Sequence, residues 1–164
     1  MIDANRRCLA QGIALLTTLT DDQFACPRGA WSPVGAQYRH VLEHYQCLLE
    51  GVAGGRVDYD ARRRDVTLEQ SRTRALEVTA DLEQGLAQLI GRPASLALEV
   101  QLRCDVDRGD CWTASTLGRE LQFLVSHSVH HYALIKLLLA NDTIELDQEF
   151  GTAPSTLSHL RAAR

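Results

Sequence analysis

Four long segments of this chain repeat their apolar residues at the spacing of an amphipathic helix, and no other feature limits the fold as strongly. In the first segment, Leu9, Ile13 and Leu16 recur at intervals of four and three residues, which places them on one helical face. Four helices of this kind bury their apolar faces by packing on one another, and they predict an antiparallel four-helix bundle. The segments span about residues 3–20, 32–51, 67–91 and 115–140.

The connections between these helices carry turn residues, and one connection carries a strand signal. Apolar and polar residues alternate over residues 96–102, as in a strand with one buried face. A turn at residues 107–110 then leads to a return strand at residues 111–113. The predicted fold is therefore all-α, with a small β-hairpin between the third and fourth helices. Residues 21–32 and the charged connector 57–65 are expected as loops, and residues 156–161 as a last helical turn.

Helix starts can also be placed. Ser32 followed by Pro33 is typical of a helix N-terminus and predicts the start of the second helix. The pattern from Thr67 to Gln70 fits a capping box and predicts the start of the third helix.

Composition narrows the class of protein. The 164 residues, of which 45% are apolar, fit one globular domain over residues 1–164. Lys and Arg number 17 against 21 Asp and Glu, and the resulting net charge of -4 does not fit a general nucleic-acid binder. No apolar run is long enough to cross a membrane, and the charged first residues do not resemble a secretory signal. A cytoplasmic location is expected, and the five cysteines, without a CxxC pair, fit reduced thiols.

Five of the six histidines fall on just two of the predicted helices. His127 and His131 are one turn apart on the fourth helix, about 40° apart on the helical wheel, and both lie on its apolar stripe. His130 lies at the edge of that stripe. His40 and His44 have the same spacing on the second helix, and the wheel places His44 slightly closer to the apolar face.

Imidazoles four residues apart on one helical face can bind a single metal ion. A lone histidine on an apolar face is more often a hydrogen-bonded core residue, but two unpartnered imidazoles there would cost on the order of several kcal/mol. Coordination removes that cost, so the two pairs favour a metal site over structural histidines. Three histidine ligands would leave a position open for water or substrate, as catalytic zinc sites do.

Two sequence stretches resemble the DinB/YfiT-like superfamily. Residues 126–135 (SHSVHHYALI) resemble its final-helix motif, and residues 35–44 (GAQYRHVLEH) resemble its second-helix motif. The order of elements is similar over nearly the whole chain, and the charged connector resembles that of one bacterial branch.

The resemblance implies a divalent metal ion as cofactor, with zinc or nickel expected first and iron or manganese next. Carried over by position, the implied ligands are His40, His127 and His131. His44 and Glu43 then become residues that support the ligands or spare ligands, and His130 is a further imidazole nearby. Related members include bacillithiol S-transferases and a mycothiol-dependent maleylpyruvate isomerase, which implies a low-molecular-weight thiol as a second cofactor. Gln37 stands where similar sequences often have histidine.

Other residues are open to two interpretations. Glu120 lies two turns before His127 on the same face, where it could orient a ligand imidazole, act as general base and catalytic residue, or simply favour the helix N-terminus through the dipole. The arginines at 62–64 could receive a substrate carboxylate or form a solvated loop. Cys47 could be a fourth ligand or a buried inert thiol, the latter being the commoner case.

Three functions follow from the sequence. The first is a metal-dependent enzyme that acts on a small-molecule substrate and activates water, as a hydrolase, or a thiol, as a transferase. The second is a metal-binding or stress-response protein without catalysis. The third is a metal-free structural bundle. A homodimer is compatible with the bundle, whereas neither nucleic acid nor a membrane is expected as a partner.

Overall fold

The protein, seen in a computed structural model that describes residues 1–107, 109 and 111–163, is mostly helical. Four long helices account for most of the helical residues, and short helices and strands connect them. The helices are α1 (Ile2–Thr18), α2 (Asp21–Ala25), α3 (Val34–Gly51), α4 (Thr67–Gln70), α5 (Arg72–Ala87), α6 (Leu117–Leu138) and α7 (Pro154–Ala162). The strands are β1 (Arg56–Asp58), β2 (Ala97–Gln101) and β3 (Trp112–Thr116), and a 3-10 turn spans Val52–Gly54.

The four long helices contact one another in a closed ring. Helix α1 packs on α5 and α6, and α3 packs on the same two helices. Their apolar stripes meet in one core, in which all four tyrosines of the chain are also buried. The long segments predicted from the sequence are therefore confirmed as helices, and the α3–α6 contact brings together the two helices that carry the histidine pairs.

The β structure is larger than the predicted hairpin. Strands β2 and β3 do pair antiparallel, with Ala97 opposite Thr116 and Gln101 opposite Trp112. A third strand, β1, pairs parallel with β2 on its other side. The prediction that residues 57–65 form only a loop was wrong, because Arg56–Asp58 forms β1. The predicted turn at residues 107–110 includes residues 108 and 110, which lie outside the described residues.

Three helix starts differ from the prediction. Ser32 does not cap the second helix, because Pro33 is the N-cap of α3 and no side chain caps it. Thr67 does not cap the third helix, because the residue before it, Val66, is already helical and caps the single turn α4 without a side-chain bond. The chain is extended at Ser71, whose side chain accepts a hydrogen bond from the Arg74 backbone and caps α5. Residues 21–25, expected as loop, form α2, with a complete capping box between Thr20 and Gln23.

The remaining boundaries agree with the sequence to within a few residues. Helix α6 begins after Thr116, whose hydroxyl accepts from the Arg119 backbone. Helix α7 corresponds to the predicted last turn at residues 156–161. None of the helices in the described part of the chain is both long and apolar enough to cross a membrane.

Candidate metal centre

Four histidines meet where α3 packs on α6. His40 and His44 project from α3, and His127 and His131 project from α6, each pair one helical turn apart. The centroids of neighbouring rings lie between 4.1 Å and 5.0 Å apart. The centroid distances are 4.1 Å for His44–His127, 4.4 Å for His40–His44, 4.5 Å for His127–His131, 4.6 Å for His40–His131 and 5.0 Å for His40–His127.

Three of these imidazoles are close enough to hold one metal ion. His40, His44 and His127 each offer one nitrogen, and these nitrogens lie within 4.8 Å of one another. Two members of this group, His40 and His127, are also in the ligand set that the sequence resemblance implies. The third member is His44 rather than His131, although the His131 ring lies directly beside those of His40 and His127.

Hydrogen bonds fix the orientation of two of the rings. His44 Nδ1 lies 2.7 Å from the backbone carbonyl oxygen of His40. Because a carbonyl oxygen only accepts, Nδ1 of His44 donates and Nε2 keeps its lone pair. His131 Nδ1 lies 2.7 Å from Oε1 of Gln37 and is held in the same tautomer. Such bonds to the distal ring nitrogen are typical of metal-binding histidines.

The third ring presents an unsatisfied nitrogen. His127 Nε2 is buried and has no hydrogen-bond partner among the described residues. A buried polar atom without a partner costs about 1–3 kcal/mol. A metal ion would accept the lone pair of this nitrogen and remove the cost, so the observed donor set fits a divalent cation that prefers imidazole.

All four imidazoles are uncharged at neutral pH. Burial, together with the neighbouring histidines and Arg62, lowers the pKa of His40, His44 and His127 to about 3, although the bond to the His40 carbonyl raises that of His44 in part. Burial likewise lowers the pKa of His131 to about 4, with a further contribution from His130. Neutral imidazole is the form that binds metals, so the cluster needs no deprotonation at pH 7 to accept an ion.

Glu120 lies next to the histidines rather than among them. Its carboxylate is buried and accepts hydrogen bonds from the Tyr59 hydroxyl (2.9 Å) and the Ser115 hydroxyl (2.5 Å). The Tyr59 ring stacks on the His44 ring at 5.4 Å, so Tyr59 connects Glu120 to the cluster. Glu120 thus contacts the cluster only through Tyr59, and its role as general base or in orienting an imidazole stays a prediction.

Of the two aromatic side chains that contact the cluster, the sequence offered Tyr59 as a residue that could reach the site or pack on the bundle end, and it did not single out Phe123. Phe123 lies one turn before His127 on α6, and its ring centroid is 5.3 Å from that of His127. Tyr59 follows β1, and its ring is 5.2 Å from Phe123. The four-residue spacing from Phe123 to His127 on one helix could have identified Phe123 from the sequence. Tyr59 reaches the site through the parallel strand β1, which local sequence did not reveal.

The other predicted site residues take different positions. Glu43 is buried, and Oε1 accepts a hydrogen bond from the Asp65 backbone (2.7 Å), which anchors the end of the connector. His130 is exposed, with its ring 5.2 Å from that of His131. Burial raises the pKa of the Cys47 thiol to about 11, which favours the inert thiol over a thiolate ligand.

Of the arginines at 62–64, Arg62 lies beside the histidines and Arg63 lies on the surface. Nη1 of Arg62 donates to the Tyr59 carbonyl oxygen and lies 3.4 Å from Nε2 of His44. Arg63 instead pairs with Glu50 at 2.7 Å on the surface.

The chain is similar to known proteins over most of its length. A model of the DinB superfamily matches residues 5–135. FK506-binding protein 5 from Rhizopus delemar is 31% identical over 108 residues, which cover 64% of this chain and 28% of that protein. The chain thus spans little more than a quarter of the length of this curated relative. No solved structure matches the chain. Since the family match includes the histidines of both α3 and α6, the chain belongs to the DinB superfamily.

Proposed function

We propose that this protein is a divalent-metal-dependent enzyme whose ion lies among the imidazoles of α3 and α6. The observation that carries the proposal is the group of His40, His44 and His127, whose ligand atoms lie within 4.8 Å of one another. The unpartnered, buried Nε2 of His127 supports it. We further propose that the closed ring of long helices is an antiparallel four-helix bundle, an architecture that builds such sites between facing helices.

We propose His40 and His127 as ligands, because both the spatial group and the sequence resemblance include them. The third ligand comes from one of two residues. The interatomic distances favour His44, whereas the resemblance favours His131, whose ring is already oriented by Gln37. Three histidines would leave an open position, as in catalytic zinc sites.

The chain's own residues would orient the ligands and limit the access of water. The bound ion would act as a Lewis acid that activates water or a low-molecular-weight thiol. The His40 carbonyl oxygen and Gln37 hold the rings of His44 and His131, so their Nε2 lone pairs are ready to bind. Phe123 and Tyr59 cover the cluster with apolar rings, which strengthens electrostatic interactions inside the site.

Two cavities lie beside residues that contact the cluster, although none of its four histidines lines either, and we propose them as places for a small-molecule substrate. A cavity of about 460 Å³ is lined by Tyr59, Phe123 and Glu120 together with the loop between β2 and β3. A second cavity of about 530 Å³ is lined by Gln37, Trp31 and leucines of α6. Both volumes are in the range of small-molecule sites. Phe123 in the first cavity contacts His127, and Gln37 in the second bonds to His131.

One observation favours a second candidate, a metal-binding protein without catalysis. Both carboxylate oxygens of Glu120 already accept hydrogen bonds, so this acid is committed to Tyr59 and Ser115. Holo-protein screened with thiols plus electrophiles, and with esters and amides, separates the two candidates. Turnover that disappears in His127→Ala supports the enzyme, and metal binding without any turnover supports the second candidate.

Metal content tests the shared basis of both candidates. The chain is purified without a nickel column, incubated with zinc or nickel, desalted, and measured by inductively coupled plasma mass spectrometry. We expect about one ion per chain for the wild type and a loss in His40→Ala and His127→Ala. The exposed His159 on α7 provides the control His159→Ala, which should keep the ion. His44→Ala and His131→Ala identify the third ligand. Unchanged stoichiometry in His127→Ala would contradict the proposal.

A further inference from the structure

Arg62 is a cation held at the edge of the histidine cluster. Its Nη1 atom lies 3.4 Å from Nε2 of His44 and donates to that nitrogen, whose lone pair a metal at the site would take instead. The side chain is half-buried, so this charge is only partly screened by solvent.

The connector holds Arg62 in this position at several points. The Tyr59 backbone donates to the Gln101 carbonyl oxygen (2.9 Å), which continues the pairing of β1 with β2. Asp58 Oδ1 accepts from the backbones of Asp60 and Ala61, and this forms a tight turn just before Arg62. The far end is anchored by the bond from the Asp65 backbone to Glu43. Arg62 therefore belongs to a built segment rather than to a free loop.

Arg62 has no carboxylate partner in the described part of the chain. Its polar neighbours are the Tyr59 carbonyl oxygen, Nε2 of His44 and the Arg64 side chain, which donates to the Arg62 carbonyl oxygen. The next residue, Arg63, does pair with a carboxylate, that of Glu50. A divalent ion at the histidines would add like charge beside Arg62. An anion that contacts both the ion and the guanidinium would relieve the repulsion, and a carboxylate matches the fork of a guanidinium.

We propose that Arg62 binds a carboxylate of the ligand at the metal site, so that the site selects small carboxylic acids over neutral molecules of the same size. This inference rests on the proposed metal site. The carboxylate could belong to the substrate or to a thiol cosubstrate, and the same guanidinium would take either one.

Cobalt(II)-loaded protein provides a test that does not require turnover. The visible spectrum of cobalt(II) reports on its ligands, and a thiolate adds an intense near-ultraviolet band. Three probes are titrated: mercaptoacetate, which carries a thiol and a carboxylate; 2-mercaptoethanol, which carries only the thiol; and acetate, which carries only the carboxylate. We expect mercaptoacetate to bind about tenfold or more tightly than 2-mercaptoethanol, the ratio expected for a charge-assisted hydrogen bond. Acetate alone should also perturb the cobalt spectrum.

Arg62→Gln and Arg63→Gln form a matched pair of variants. Arg62→Gln should reduce the preference for mercaptoacetate to about twofold or less and weaken the effect of acetate, while Arg63→Gln should keep both. An unchanged cobalt spectrum before ligand is added shows that a variant has kept the site. If Arg62→Gln does not fold, Arg62→Lys, which keeps the charge but loses the planar fork, takes its place, and it should reduce the preference for mercaptoacetate while Arg63→Lys keeps it.

The outcomes separate this inference from the proposed function. Wild-type protein that binds cobalt(II) but binds the two thiols equally overturns the role of Arg62 and leaves the metal site standing. A preference for mercaptoacetate that persists in Arg62→Gln likewise overturns the role of Arg62 and leaves the metal site standing. Protein that takes up no cobalt(II), zinc or nickel overturns both. If acetate and mercaptoacetate both bind, the site accepts the carboxylate of a substrate as well as that of a thiol cosubstrate. If only mercaptoacetate binds, the carboxylate belongs to the thiol cosubstrate.

Discussion

The hydroxyl of Tyr59, the residue after β1, and the carboxylate of Glu120 on α6 form a buried pair. The Tyr59 hydroxyl donates to Oε2 of Glu120 at 2.9 Å, and both side chains are buried. Burial and the neighbouring carboxylate both raise the pKa of Tyr59, so the phenol stays protonated and remains a donor. The bond therefore holds the aromatic ring against His44.

Removing this hydroxyl should destabilise the fold measurably. Tyr59→Phe keeps the ring but leaves the buried Glu120 with one donor fewer, and we expect a loss of about 1–3 kcal/mol in the free energy of unfolding. Urea denaturation followed by circular dichroism measures the loss.

Tyr38→Phe is the matched control for this change. Its hydroxyl lies 3.4 Å from the neutral hydroxyl of Thr79, a longer contact to an uncharged partner, so the cost should be smaller. An equal or larger loss in Tyr38→Phe would contradict the importance assigned to the Tyr59–Glu120 bond.

At the scale of the elements, the contact between α3 and the short helix α4 places the connector over the site. Gly35 in the first turn of α3 lies against the backbone of Glu69, and a Cβ atom at position 35 would be 2.1 Å from the Glu69 carbonyl oxygen. Backbone cannot move aside as easily as a flexible side chain can. The two elements therefore approach as closely as they do because residue 35 lacks a side chain.

Gly35→Ala should consequently cost about 1–3 kcal/mol of stability, as overpacking in a close contact does. Gly54→Ala is the control, because a Cβ atom there would have no atom within 4 Å. Thermal unfolding of both variants measures the difference. Equal melting temperatures for the two variants would show that α3 and α4 can separate without cost.

Local sequence was sufficient for the long elements and insufficient for those that tertiary pairing decides. The repeats of Leu9, Ile13 and Leu16 and their equivalents identify the helices because one face must be buried. Thr67 and Ser71 are both residue types that cap helices. Because α4 packs on α3 as a separate turn, Ser71 and not Thr67 caps the long helix α5. Strand β1 has three residues, two of them charged, and exists through its pairing with β2 forty residues later.

The same distinction applies to the site. Spacing alone placed His127 and His131 on one inward face, and the structure brings both beside the α3 histidines. The wheel placed His44 closer to the apolar face than His40, and His44 is indeed the more deeply buried of the two. Arg62 could be named as a candidate from its charge, but its approach to His44 depends on the path of the chain after β1. The α2 helix had a readable signal in Thr20 and Gln23.

For the whole molecule, four imidazoles that stay neutral when folded link stability to pH. In the unfolded chain histidines titrate near 6.5, while burial lowers the pKa of these four to about 3 or 4. Between these values the unfolded chain binds more protons than the folded one. Stability is therefore present above pH 6.5 and is lost as the pH falls toward 4.

The metal-free protein should lose about 1 kcal/mol per buried histidine between pH 7 and pH 5.5. Urea denaturation at a series of pH values measures the slope. His44→Gln should make the slope shallower, while His159→Gln, at an exposed position of α7, should leave it unchanged. Stability that does not change between pH 7 and pH 5.5 would show that the cluster is hydrated and protonates freely.

A bound ion should raise the melting temperature, because it binds the folded state. At a free concentration 100 times the dissociation constant, the stabilisation is about 2.7 kcal/mol. Differential scanning fluorimetry with zinc or nickel, followed by a chelator, should show a rise that the chelator reverses. His127→Ala should show no such rise, and an equal shift in this variant would mean that the ions act elsewhere on the chain.

The position of the imidazoles on α3 and α6 also has a topological consequence. His44 and His127 are about eighty residues apart in the chain, with α4, α5 and the whole sheet between them. An ion that binds both would act as a reversible cross-link between the two halves of the polypeptide. Amide hydrogen exchange should then slow first along the seam of α3 and α6 when the ion binds, and the helices distant from that seam should respond less.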